Sequence, residues 1–161
     1  MNPNIAAGPL LIAGSLALSL ILMLVPLPTW AAMARPAFLP ATVLFWAMVQ
    51  PQRFGVIAAW GSGLLMDVVY TTPLGQHGLA LAVCAYAVFK LKDLLLDFPA
   101  IQQSVVLLPL FLVYEFILFW IDGVNGRSVD PLWRWLPALS TAVVWPLWTL
   151  VLERMARPEV S

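Results

Sequence analysis

Apolar residues gather into six runs, and the charged and turn-forming residues fall between them. The runs cover residues 5–25, 35–50, 54–69, 77–89, 101–121 and 136–152. As a helix the first would be about 31 Å long, enough for a hydrocarbon core of roughly 30 Å. The second opens on Arg35-Pro36, has Pro40 near its first turn where proline is tolerated best, and stops before Pro51. At roughly 22 Å it is short for a span, which predicts either a tilted helix in a thinned bilayer or half of a re-entrant hairpin. Gln50-Pro51-Gln52-Arg53 forms a tight turn into the third run. There Gly55, Ala59 and Gly63 recur at every fourth position with Asp67 next in the row. Positions four apart share one helix face, so Asp67 falls on a smooth stripe where another helix can approach closely. Thr71-Thr72-Pro73-Leu74-Gly75 then turns the chain and brings His77 to the start of the fourth run. Lys90, Lys92, Asp93 and Asp97 close that run with an amphipathic stretch expected at the membrane interface. The fifth carries Glu115, with a kink expected at Pro109. A loop with an Asn125-Gly126 turn follows, and the sixth contains Trp145-Pro146 and ends at Glu153, Arg154 and Arg157. Trp30, Trp120, Trp133, Trp135 and Trp148 lie near proposed helix ends, as interface aromatics should.

Composition decides where these helices live. The chain has 161 residues, 62% hydrophobic and 10% charged, with a mean hydropathy of +0.92. A soluble domain of this size leaves roughly a third of its surface exposed, too much for so apolar a chain to hide. The expected fold is therefore an all-α integral membrane protein of about six transmembrane helices, with residues 1–161 forming one polytopic domain. Zero net charge gives no basic surface for nucleic acid. The single Cys84 excludes an internal disulfide. Ala32-Met33-Ala34 has the small-x-small form of a leader cleavage site, but no Lys or Arg precedes the first run, so that run reads as a retained helix. Six spans put both termini on one side. With cytoplasmic termini, Arg53, Lys90, Lys92, Arg154 and Arg157 lie inside, against Arg35, Arg127 and Arg134 outside, as the positive-inside rule favours.

In that topology Arg35, Asp67, His77 and Glu115 all reach the outer level of the membrane. A carboxylate at the bilayer centre costs about 2.5 to 3.5 kcal/mol, less toward the interface, and pairing with Arg35 or a protonated His77 would offset much of it. These residues predict an internal polar cluster open to the outer face. The plainer readings stand beside this one: interhelical hydrogen bonds that fix register for the acids, a capping role for His77, and simple packing for the glycine row. Chemistry finds little support. Gly61-Ser62-Gly63 resembles an intramembrane serine-protease element, yet Trp60 stands where that element needs glycine, and the only histidine lies at a helix mouth. No phosphate loop, dinucleotide fingerprint or zinc helix is present, so no cofactor or metal is expected.

The chain resembles MreD, the rod shape-determining family of bacterial membrane proteins. The likeness rests on Arg35-Pro36, Pro51 with Arg53, Gly63 with Asp67, Thr72-Pro73-Leu74-Gly75 with Leu79-Ala80, Glu115 with Phe119-Trp120, and Trp145-Pro146. These fall in order from about Trp30 to Arg157. The resemblance implies a non-enzymatic subunit of the cell-elongation machinery in the inner membrane. It associates directly with the bitopic protein MreC and, through the complex, with MreB, the RodA glycosyltransferase and its penicillin-binding transpeptidase partner. The family is also similar to the substrate-binding membrane subunits of energy-coupling factor transporters, which have six helices and an outward-facing pocket. Two functions follow as expectations. One is a scaffold whose Gly55, Ala59 and Gly63 face receives MreC's helix while loop residues 122–134 touch its periplasmic part. The other is a small-molecule or lipid-precursor binder with a pocket at Asp67 and Glu115; a membrane hydrolase is third.

Overall fold

The computed structural model describes residues 7–127, 130 and 133–156, and every regular element among them is helical. The helices are α1 (Pro9–Leu24), α2 (Thr29–Ala32), α3 (Phe38–Val49), α4 (Val56–Tyr70), α5 (Gln76–Asp97), α6 (Ala100–Val124) and α7 (Leu136–Ala156). A 3₁₀ turn, Trp133–Trp135, leads into α7. The start of the first run at Ile5 and the closing Arg157 lie outside the described residues. Two stretches, Ala100–Val124 and Trp133–Ala156, are long and apolar enough to cross a membrane, and α1, α3 and α4 are shorter apolar helices. The outer faces carry bare hydrocarbon: Leu10 is 88% exposed, Ile57 84% and Val143 79%. Apolar surface spread round a bundle in this way is what lipid covers. The protein is an all-helical membrane protein.

α3 occupies the centre, packed against α1, α4, α5 and α7. Its ten residues from Leu39 to Met48 are all buried. That explains the short second run: at about 18 Å, α3 is jacketed by other helices instead of being matched to lipid on its own. Hydroxyls and indoles fasten it. The Ser19 and Thr42 hydroxyls lie 2.6 Å apart, Trp148 donates to Thr42 Oγ1 at 2.9 Å, and Trp46 donates to Ser15 Oγ at 2.8 Å. Ala37 N–H donates to Thr141 Oγ1 at 2.8 Å, pinning the entry to α3 against α7. Trp148 is thus a core residue, contrary to its expected place at the interface, because its N–H finds a buried acceptor there. Trp30, at 78% exposure, and Trp120, at 66%, are on the surface.

The charged stretch from Lys90 to Asp97 continues α5 without a break. Nothing stops the helix until Phe98, which is extended because a proline follows it. Gln103 Nε2 then donates to the Leu95 and Phe98 carbonyls at 2.8 and 3.1 Å, closing the corner into α6. α6 itself runs on through Pro109.

The glycine row packs within the chain, as its plainer reading has it: α4 crosses α5 there, and a Cβ placed on Gly63 would lie 2.5 Å from Gly78 Cα and N. Ala59 is fully buried in the same seam. Gly55 is the N-cap of α4 and stands clear of the crossing, its nearest neighbour being the Pro51 carbonyl at 3.7 Å. The Ala59 and Gly63 part of the row is thus covered by α5 and not open to a partner helix, which corrects the expectation that this face receives one.

Gly63→Ala should lower stability by about 2–3 kcal/mol or more in detergent thermal unfolding, because the obstruction is backbone and cannot step aside. Gly78→Ala, facing the Trp60 ring at 3.2 Å, should cost less, and Gly61→Ala, with nothing within 4 Å, should be neutral or stabilising.

Candidate functional site

α4 ends where Thr71 adopts the left-handed conformation (φ 54°), and Gly75 (φ 97°) starts α5 from a geometry that favours glycine. Between these two residues the chain reverses over the Asp67 carboxylate. Asp67 Oδ1 accepts from Thr72 Oγ1 at 2.9 Å, from His77 N–H at 3.0 Å and from His77 Nδ1 at 2.7 Å, while Oδ2 accepts from Gly75 N–H at 2.8 Å. The carboxylate thereby satisfies N–H groups at the start of α5 and sits at the positive end of its dipole. The bond to Asp67 places a proton on His77 Nδ1 and leaves Nε2 as the ring's other polar atom. The ring stacks on Tyr70 at 6.0 Å between centroids, with Tyr114 at 6.3 Å.

A second group forms on α6. Glu115 and Asp122 are seven residues apart, two turns, so they share one face. Both meet Arg134, which the 3₁₀ turn before α7 delivers: Nε lies 3.1 Å from Glu115 Oε2, and Nη1 donates to Asp122 Oδ2 at 3.0 Å. Gln76 Nε2 donates to Asp122 Oδ1 at 2.9 Å. Arg127 adds a longer contact, 3.9 Å to Asp122, and reaches the Thr71 carbonyl at 3.4 Å. Gln76 and Asp122 therefore link the α4–α5 turn to the α6 acids.

His77, Gln76 and the α6 group line a cavity of about 940 Å³ at the end of the bundle where α4 finishes and α5 begins, whereas Asp67, expected at the pocket, is not part of its wall. Its wall includes His77, Glu115, Asp122, Arg134 and Arg35, with Met23, Met66, Tyr114 and Leu118 as the apolar part. α2 and the segment between α6 and α7 contribute the rim. Lining cations Arg35, Arg127 and Arg134 are balanced by Glu115, Asp122 and Asp130. The buried Gln76 Oε1 has no hydrogen-bond partner among the described residues.

The four expected cluster residues thus reach one region, with different partners from those expected. Asp67 and His77 pair with each other. Glu115 pairs with Arg134, not with Arg35 or His77. Arg35 turns away from the acids and donates to the Met23 carbonyl and, at 2.5 Å, to the Val25 carbonyl. Those are terminal carbonyls of α1 that its own helix cannot satisfy. Asp122 and Arg134 were legible only in part: the seven-residue spacing marks Asp122, whereas no local pattern ties Arg134 to it. The remaining motif residues lie outside the cavity. Pro36 leads into α3, and Pro73 offers its carbonyl to Gln76 N–H at 3.1 Å. Trp145 donates to Gln103 Oε1 at 3.1 Å, Pro146 lies within α7, and Arg53 is at the opposite end of the bundle.

A family model described as rod shape-determining protein MreD matches residues 5–155. The rod shape-determining protein MreD of Haemophilus influenzae is 24% identical over 144 residues, which cover 89% of this chain and 88% of that protein. No solved structure matches the chain.

Arg134→Met should destabilise the protein by about 3–5 kcal/mol, because it strands two buried carboxylates without their cation. Adding Glu115→Gln and Asp122→Asn should recover most of that loss; thermal unfolding of the single and triple variants in detergent measures both.

Proposed function

Because the chain belongs to the MreD family of rod shape-determining proteins, we propose that it is a non-catalytic scaffold of the bacterial cell-elongation machinery that docks MreC at its cavity end. Its six helices other than the four-residue α2 cross the inner membrane, α3 within the jacket of its neighbours, with cytoplasmic termini, so the cavity faces the periplasm, where MreC's membrane-proximal part lies. Through MreC it joins MreB, RodA and the penicillin-binding transpeptidase. The observation that carries this reading is that the acids are already engaged. Asp67 holds four donors from its own turn, and Glu115 and Asp122 share Arg134. Groups committed in this way are poor general acids or bases, since catalysis needs them within reach of a substrate proton. What they build is a rigid, charge-balanced socket with an apolar wall. The α4 seam is closed by α5, so the socket and its rim replace the glycine face as the docking surface. Association there rests on shape-matched packing and a few polar contacts, since lipid removes the usual hydrophobic drive between helices.

The unpartnered Gln76 amide oxygen favours a second reading, a small-molecule or lipid-precursor pocket. The cavity volume is within the range of about 300–1,000 Å³ usual for such ligands. This reading predicts a bound molecule that survives purification without MreC.

Ala32→Trp puts a large ring on the exposed rim of the cavity without entering the core. Recovery of MreC in co-purification should fall roughly tenfold, the loss of about 1.4 kcal/mol of binding, while thermal stability of the variant alone stays unchanged. Undiminished recovery would remove the cavity as the docking site.

A further inference from the structure

The opposite end of the bundle has a second hollow, of about 590 Å³, lined by Pro9, Ile12, Ala13, Leu16, Arg53 and Phe54. Its walls are hydrocarbon apart from one cation. Arg53 Nη1 donates to the Ala7 carbonyl at 2.7 Å, which ties the turn after α3 to the residue ahead of the α1 N-cap. That bond holds the N-termini of α1 and α4 at the same end of the bundle. Neither helix has a side-chain cap or an acidic residue in its first turn, which leaves this end of the bundle positive among the described residues. Among the described residues, no ion pair joins Arg53 to a carboxylate. Its Nε and Nη2 can still donate. A fixed positive charge at the mouth of an oily slot, at one end of a membrane bundle, matches a molecule that joins an anion to a hydrocarbon chain.

We propose that this hollow seats one anionic phospholipid, its phosphate on Arg53 and one acyl chain along Ile12, Ala13 and Leu16. Guanidinium is suited to the phosphate because its planar donors bond two oxygens together. A zwitterionic lipid offers the same phosphate but brings an ammonium group toward an already positive site, so net charge sets the preference. Free phosphate lacks the chain that fills the slot.

Native mass spectrometry in detergent, with added palmitoyl-oleoyl phosphatidylglycerol or the matching phosphatidylcholine, tests the site. The wild-type chain should retain one phosphatidylglycerol in preference to phosphatidylcholine. Arg53→Gln should cut retention about fivefold, from about 1 kcal/mol for one basic residue at a lipid surface. Arg53→Lys should keep most of it. Ala13→Phe, on the exposed wall of the slot, should reduce retention with Arg53 intact, and millimolar glycerol phosphate should not displace the lipid. Equal retention of the two lipids, wild-type retention by Arg53→Gln or by Ala13→Phe, or displacement by glycerol phosphate would each overturn the proposal. Should Arg53→Gln fail to fold in a thermal unfolding control, Ala13→Phe and the lipid comparison decide alone.

Discussion

The backbone contact between α4 and α5 at Gly63 and Gly78 is the constraint on which the rest of this molecule hangs. Helices joined by a five-residue turn can lie so close only if neither carries a side chain at the crossing, and here neither does. The crossing fixes where α5 begins, and the start of α5 fixes the N–H groups that Asp67 must satisfy. With those placed, Gln76 is set to reach Asp122, and α6 is drawn into the same polar layer. One row of small residues therefore determines the position of groups as far away in sequence as Arg134.

The polar layer also explains why the protein tolerates three acids near or within apolar helices. Two devices supply their partners: a folded-back turn for Asp67, and one guanidinium shared between Glu115 and Asp122. Burying charge is expensive unless the partners come with it. Here they come from loops and helix ends, the parts of the chain nearest water, so the cost is met where solvent can help. The layer ends up stiff, and its stiffness gives the cavity above it a defined shape.

Much of this was legible in the sequence, and the reasons for the misses are physical. Spacing of four placed Asp67 on the close-packed stripe because helical geometry allows nothing else. The same spacing could not say what covers the stripe, since a smooth face looks alike whether a partner or the next helix lies on it. Glu115 was visible as an acid in an apolar run. Its pairing with Arg134 was not, because that contact spans a loop and depends on how α7 enters the bundle. The short second run reads as a defective span by length alone, and only the jacket of neighbours shows why it need not be longer.

That jacket bears on how the protein is made. α3 leaves the ribosome early, yet three of the four helices that enclose it, α4, α5 and α7, are synthesised later. A nascent chain that ends at α4 holds Thr42 without the Trp148 indole that donates to it in the finished bundle. The core around α3 is therefore complete only once α7 has been made.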